Sequence, residues 1–244
     1  MVTGKEKRLW QKIFLKNLEK QSQKQQENGL MIENAKENSQ RVELKDRIIE
    51  TASEAFTAHG IKSITMDDIA ASLGISKRTL YEVFQDKESL LTQCILKRQE
   101  EMNAFLAETL ANSKNVLEVI LVCYQRSIET FHRTNKRFFE DIKKYPKVHS
   151  LLKNYRERDS DSTIEFFKMG IKQGIFRDDV NFAIVNLLVH EQLDLLMNTD
   201  ICNKYSFLEV YEAIMFTYIR GISTEKGAKV LEDFITEYRK QRIH

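Results

Sequence analysis

From Leu44 towards the C-terminus, apolar residues recur every three or four positions, with charged and amide side chains between them. That is the period of helices buried along one face. No stretch keeps the strict alternation of a half-buried strand. One Pro and eight Gly in 244 residues leave few helix breakers, so the pattern predicts an all-α chain of long helices.

Thr65 to Phe84, TMDDIAASLGISKRTLYEVF, predicts two short helices around a tight turn. Thr65 and Asp68 have capping-box spacing. Met66, Ile69, Ala70 and Leu73 form the apolar stripe of the first helix, and Gly74 ends it as a left-handed residue would. Ile75 pins the turn, and Ser76 opens a second helix over 77–84. Leu80, Val83 and Phe84 share one face of that helix. Lys77, Arg78, Thr79, Tyr81 and Gln85 are left to solvent or to a partner. This is the pattern of a helix-turn-helix, whose second helix enters a DNA major groove. A helix over 43–59 precedes it, with Leu44, Ile48, Ile49, Ala52, Ala55 and Phe56 inward and Gly60 as its stop.

After Asp86, a capping residue, the periodicity predicts helices over 87–112, 116–133 and 136–144. One long helix over 148–174, a turn from Gly174, and helices over 179–198, 206–223 and 224–242 follow. Ser206 and Glu209 supply a second capping box. The helix at 180–197 is apolar around most of its circumference, through Phe182, Ile184, Val185, Leu187, Leu188 and Val189. A helix of that kind is covered on more than one side.

Residues 1–40 stand apart as a polar and basic extension. A short basic amphipathic helix is expected over 7–20, and 21–40 read as flexible. Translation starting at Met31 would leave a tail of ordinary length. A basic arm on DNA and a membrane or partner contact are the other readings of this segment.

Charge and chemistry narrow the function. The formal net charge is only +2, so DNA affinity must come from a local group of cations. Cys94, Cys123 and Cys202 lack metal-ligand spacing, and three thiols cannot all pair within one chain, which suits a reducing cytoplasm. No apolar run approaches the roughly 20 residues of a membrane span. There is no Gly-rich phosphate loop, no HExxH and no placed nucleophile. The expectation is therefore no enzyme, no catalytic residue, no metal and no cofactor.

From Gly60 to Leu91, GIKSITMDDIAASLGISKRTLYEVFQDKESLL, the chain closely resembles the DNA-binding domain of the tetracycline-repressor (TetR) family. The shared features are Thr-x-x-x-Ile-Ala, Leu-Gly-Ile-Ser, Thr-Leu-Tyr, Phe and Asp-Lys-Glu-x-Leu-Leu. Arg78 departs from the pattern, since family members often carry Gly or a small residue there. The resemblance implies a three-helix DNA-binding domain over 41–88 and a larger helical effector-binding and dimerisation domain over 89–244. It implies a homodimeric regulator, most often a repressor, that binds a palindromic operator in double-stranded DNA and is released by a small molecule. An effector-independent architectural DNA-binding protein is the alternative.

The candidate DNA-binding residues follow from both lines of argument. Lys77, Arg78 and Thr79 occupy the first turn of the second helix, which meets base edges in this motif. Lys45 lies near the start of the first helix, within reach of phosphates. Thr65 and Ser76 open helices with free N–H groups, with plain capping as the competing role. Tyr81 and Lys87 are placed on the phosphate backbone by the resemblance. For an effector, the polar and aromatic candidates among apolar helices are Tyr124, Arg126, Glu129, Phe166, Asn186 and His190. Ordinary core roles compete for each. The resemblance implies a four-helix dimer interface, with Leu188, Gln192, Leu195, Leu196, Tyr211, Met215 and Tyr218 as its candidates.

Overall fold

The computed structural model describes residues 35–158, 160–198 and 201–241. The expected 7–20 helix, Met31, and the end of the last helix at Arg242 lie outside these residues. So do the side chains of Leu193, Asp194, Leu195, Leu196 and Cys202. The described residues are helical and contain no strand; a lone antiparallel bridge joins Phe176 and Ser223. The chain forms two compact units. One runs through Ala107 and takes in Glu129–Tyr155; the other comprises Glu108–Ile128 and the chain from Arg156 onward. Helices after residue 88 contribute to the N-terminal unit.

In the N-terminal unit, α1 (Ala35–His59), α2 (Met66–Leu73) and α3 (Lys77–Val83) are followed by α4 (Lys87–Asn112). Helix α1 already runs at Ala35, so 35–40, read from composition as flexible, are its first turns. Those residues carry Lys, Glu and Gln, good helix formers even without an apolar face. Ile48, Ala52 and Phe56 from α1 meet Ile69 and Ala70 of α2, Leu80 of α3, and Leu90 and Leu91 of α4 in one core. Helix α5 (Val116–Arg133) supplies its end to this unit, followed by α6 (Lys136–Ile142) and α7 (Pro146–Arg158). Phe138 and Val148 join the same core. Over the predicted helix 148–174 the described residues form α7 and α8 (Ser160–Lys172), with residue 159 between them outside the description. Pro146 opens α7 rather than merely preceding a helix, as suits a residue with fixed φ and no N–H to satisfy.

The C-terminal unit is built on α9 (Phe182–Asn198), a short α10 (Ile201–Lys204), α11 (Phe207–Ile222) and α12 (Glu225–Gln241). Ser206 and Glu209 form the expected capping box at α11. A turn after α8, with Gly174 at φ 66°, is pinned to the α11–α12 junction. The Arg177 N–H donates to the Ile222 carbonyl at 2.9 Å and the Thr224 N–H to that of Ile175 at 3.0 Å. The Thr224 hydroxyl donates to the Gly174 carbonyl at 2.7 Å. Tyr124 is the centre of the unit's aromatic packing. Its ring stacks on Tyr211 at 5.4 Å and meets Phe216 at 5.1 Å and Tyr238 at 5.8 Å.

Gly227 lies inside α12, where Ala is normally preferred by about 1 kcal/mol. A Cβ there would stand 2.3 Å from the Ile175 carbonyl oxygen, a backbone atom held by the Thr224 bonds. Gly227→Ala is therefore expected to destabilise by about 1–3 kcal/mol despite its propensity gain, read as a lower denaturation midpoint.

Candidate DNA-binding site

Helix α3 owes its orientation to few contacts. Leu80 is fully buried, and Phe84, just past the helix end, is 4% exposed. Ile75, in the turn, packs partly buried against the same core. The turn closes as predicted: Gly74 adopts φ 66°, and its N–H reaches the carbonyls of Ala70 and Ala71. The outer face of α3 then carries Lys77, Arg78 and Tyr81, all exposed, with Thr79 half-buried. Tyr81 is 49% exposed, which is high for a large aromatic. Lys45 is likewise exposed, on α1.

Both cations at the start of α3 have carboxylate partners. Lys77 pairs with Asp67 of α2, and Arg78 Nε lies 2.9 Å from Glu82 Oε1 one turn on. The Glu82 carboxylate is thus taken up by Arg78. Exposed pairs of this sort contribute at most about 1 kcal/mol. Either cation is therefore available to an incoming phosphate or base edge at small cost.

The two cap residues are committed to their helices. The Thr65 hydroxyl accepts from the Asp68 N–H at 3.1 Å, while Asp68 Oδ2 accepts from the Thr65 N–H at 2.8 Å. The Thr65 hydroxyl donates to the same carboxylate at 2.6 Å. These bonds hold the Asp68 carboxyl below its ordinary value. The Ser76 hydroxyl accepts from the Thr79 N–H at 3.0 Å. Capping fully accounts for these two hydroxyls. Lys87 is placed differently from the rest. It is half-buried, with its ammonium 5.7 Å from the centroid of the Phe56 ring. Burial pulls its pKa down against the opposing charges of Asp141 and Asp68.

The effector candidates are divided between the two units. Glu129 is exposed and belongs to the N-terminal unit; Tyr124, Arg126, Phe166, Asn186 and His190 belong to the other. Tyr124 is 1% exposed, and its hydroxyl donates to Glu212 at 3.2 Å. Burial, then the neighbouring Tyr238 and Glu212, drives its phenol far above the ordinary range. It is a neutral core tyrosine among rings. Phe166 meets Phe167 edge-on at 6.0 Å, and Phe167 stacks on Phe182 at 4.5 Å. Arg126, Asn186 and His190 are half-buried.

On α9, Ile184, Leu187 and Leu188 are 54%, 59% and 47% exposed. Gln192 is also exposed, while Tyr211, Met215 and Tyr218 on α11 are half-buried. Val185, Gln192, Val210, Ile214 and Tyr218 line a groove of about 600 Å³ along these helices.

The N-terminal unit is thus that of a helix-turn-helix protein, with a core-anchored second helix and cations on its outer face. Residues 48–94 match the family model described as bacterial regulatory proteins, tetR family. An HTH-type transcriptional regulator of Staphylococcus aureus is 37% identical over 67 residues, covering 28% of this chain and 35% of that protein. The transcriptional repressor KstR2 of Mycobacterium tuberculosis is 23% identical over 160 residues, covering 63% and 78%. Among solved structures, a TetR-family regulator from Agrobacterium tumefaciens aligns at TM-score 0.60 with 17% identity, over 75% of this chain and all of that one. A putative transcriptional regulator from Saccharomonospora viridis in complex with choline aligns at 0.61 with 18% identity, over the same shares. Residues 48–94 thus carry a helix-turn-helix of the TetR type, and the proteins that the chain resembles are transcriptional regulators. Among the described residues no helix is long and apolar enough to cross a membrane, and no group of His, Cys, Asp and Glu is placed to hold a metal.

Ser76→Ala removes the cap of a seven-residue helix and is expected to cost about 1 kcal/mol in chemical denaturation. The depressed Asp68 carboxyl contributes stability at pH above its ordinary range, and that contribution is lost as pH falls through its lower folded value. In Thr65→Val the carboxyl should titrate nearer its ordinary value by NMR, and that acid-dependent component should shrink.

Proposed function

We propose that the chain is a cytoplasmic homodimeric repressor that reads a palindromic operator with α3 and is released by a small-molecule effector. The observation that carries this reading is the outer face of α3. Lys77, Arg78 and Tyr81 project from a helix whose other side is anchored by the fully buried Leu80. In this assignment Lys77, Arg78 and Thr79 approach base edges. Arg or Lys pairs with guanine O6 and N7, and Thr meets a thymine methyl or a phosphate. Tyr81, Lys45 and the ammonium of Lys87 lie on the phosphate backbone, with Thr65 and Ser76 presenting the N-termini of α2 and α3 to it.

A second copy of the chain accounts for the uncovered apolar side of α9. Three large aliphatic side chains on one helix, about half exposed, favour burial. Pairing α9 and α11 with their symmetry mates buries them, with Leu188, Gln192, Leu195, Leu196, Tyr211, Met215 and Tyr218 as the contact set. Twofold symmetry then matches half-sites about one helical turn apart, roughly 34 Å. The choline-bound relative supports a helical unit of this kind holding a small molecule, with Arg126, Phe166, Asn186 and His190 as the residues to test. Such a ligand releases DNA only by binding more tightly to a state whose two α3 helices no longer fit the half-sites.

Selection of genomic fragments by the purified full chain, followed by footprinting, tests the reading. One compact palindromic site supports it, and weak sequence-blind coverage would instead indicate an architectural DNA-binding protein. At the selected site, Tyr81→Phe should weaken binding to all sequences alike. Arg78→Ala should cost about 1–3 kcal/mol and relax preference at one base position. Leu188→Glu should shift the sedimentation of the chain from dimer to monomer and abolish operator binding at the same protein concentration.

A further inference from the structure

Helix α6 is bonded at both ends to the corner between α1 and α2. At its start, the N–H of its N-cap Asn135 donates to the Thr57 carbonyl at 2.8 Å, and Nδ2 donates to the Ala58 carbonyl at 3.1 Å. Those carbonyls belong to the last turn of α1, where helix geometry supplies no partner. Asn135 Oδ1 accepts from the Arg137 N–H at 3.0 Å and so starts α6 itself. At the other end, the Asp141 carboxylate is 7% exposed. Its Oδ2 accepts from the Lys62 N–H at 2.7 Å, and its Oδ1 accepts from the Lys144 ammonium at 3.2 Å. Between the two ends, Gly60 turns the chain at φ 86°; a Cβ there would stand 2.7 Å from the Cβ of Arg137.

Burial by itself would raise the Asp141 carboxyl. The Lys62 N–H and the Lys144 ammonium outweigh it, and the group is held below its ordinary value. A buried carboxylate is tolerated only while such donors are present. Packing does not replace them at the Asn135 end. A cleft of about 560 Å³ opens beside that end, with Thr57, Ala58, Thr134 and Phe138 among its walls. These polar bonds add to the packing of Ile61, fully buried in the core beside Phe138, and Lys62 lies three residues before the Thr65 cap of α2.

We propose that Asp141 is a positioning residue for DNA binding: through the Lys62 N–H it makes the setting of α2, and of α3 behind it, depend on the place of α6. If α6 shifts, a buried carboxylate and a backbone N–H lose each other together, so the corner either follows the helix or comes loose. The DNA-contacting face is then governed from residues far from it in sequence. This rests on the reading of α3 as the DNA-contacting helix.

Two measurements on the full chain test it: hydrogen exchange at the Lys62 amide, and affinity for the selected operator. Loss of a hydrogen bond to a charged acceptor predicts about tenfold or greater acceleration of exchange in Asp141→Ala. Operator affinity should fall about tenfold in parallel. Asp141→Asn keeps a carbonyl acceptor and should stay within about threefold of the native chain in both. If Asp141→Ala does not fold, Asn135→Ala reads the other end, with the same expected loss of affinity. Unchanged Lys62 exchange in Asp141→Ala overturns the proposal, as does faster exchange with unchanged affinity. Exchange is measured without DNA, so a native chain that selects no operator while its Lys62 amide is protected refutes the DNA-binding reading and not the bond.

Discussion

A helix of seven residues does not hold itself together in water, since nucleation is costly and few hydrogen bonds repay it. Helix α3 has that length, and it is the element that the proposed function sets against DNA. Its order is therefore borrowed. Leu80 and Phe84 tie it to the core on one side, Ser76 closes its first turn, and the left-handed Gly74 sets its angle to α2. That core rests on α1 and α4, whose Phe56, Leu90 and Leu91 are fully buried beneath it. The arrangement separates two tasks on one short helix: inward residues decide where it stands, and outward ones decide what it touches.

The same separation governs the rest of the N-terminal unit. Asn135 and Asp141 lie outside α3, yet they satisfy backbone groups at the end of α1 and at the approach to α2. Glu88, in the first turn of α4, accepts in turn from the Lys147 N–H at 2.9 Å. Two elements, α6 and α7, are thus joined to the helix-turn-helix or to its supports by polar bonds, while Phe138 and Val148 join it by packing.

Much of this was legible in the sequence, and the part that was not has a common cause. Local rules read well: the capping boxes at Thr65 and Ser206, the stop at Gly74, and the spans 87–112 and 116–133 depend on residues within a turn of one another. The outward set on α3 followed from the same periodicity. What periodicity cannot carry is the partner of a polar side chain. The bond from the Lys62 N–H to Asp141 joins residues 79 apart, and nothing in the run KRFFEDIKK marks Asp141 as inward. The pairing of Arg78 with Glu82 was within reach, since i and i+4 face each other on a helix. Composition also misled at 35–40, where polar residues suited to a solvent-exposed helix resemble a flexible tail.

The ion pairs on α3 bear on how the protein finds its target. With Lys77 shared with Asp67 and Arg78 with Glu82, the outer face carries cations whose fields are largely cancelled a few ångströms away. The chain as a whole has a formal charge of only +2. Such a surface attracts the polyanion weakly from a distance and exchanges its internal partners for DNA only on contact. On the proposed reading of α3, discrimination falls to the moment of docking, when a correct site offers acceptors that compete with two carboxylates and an incorrect one does not.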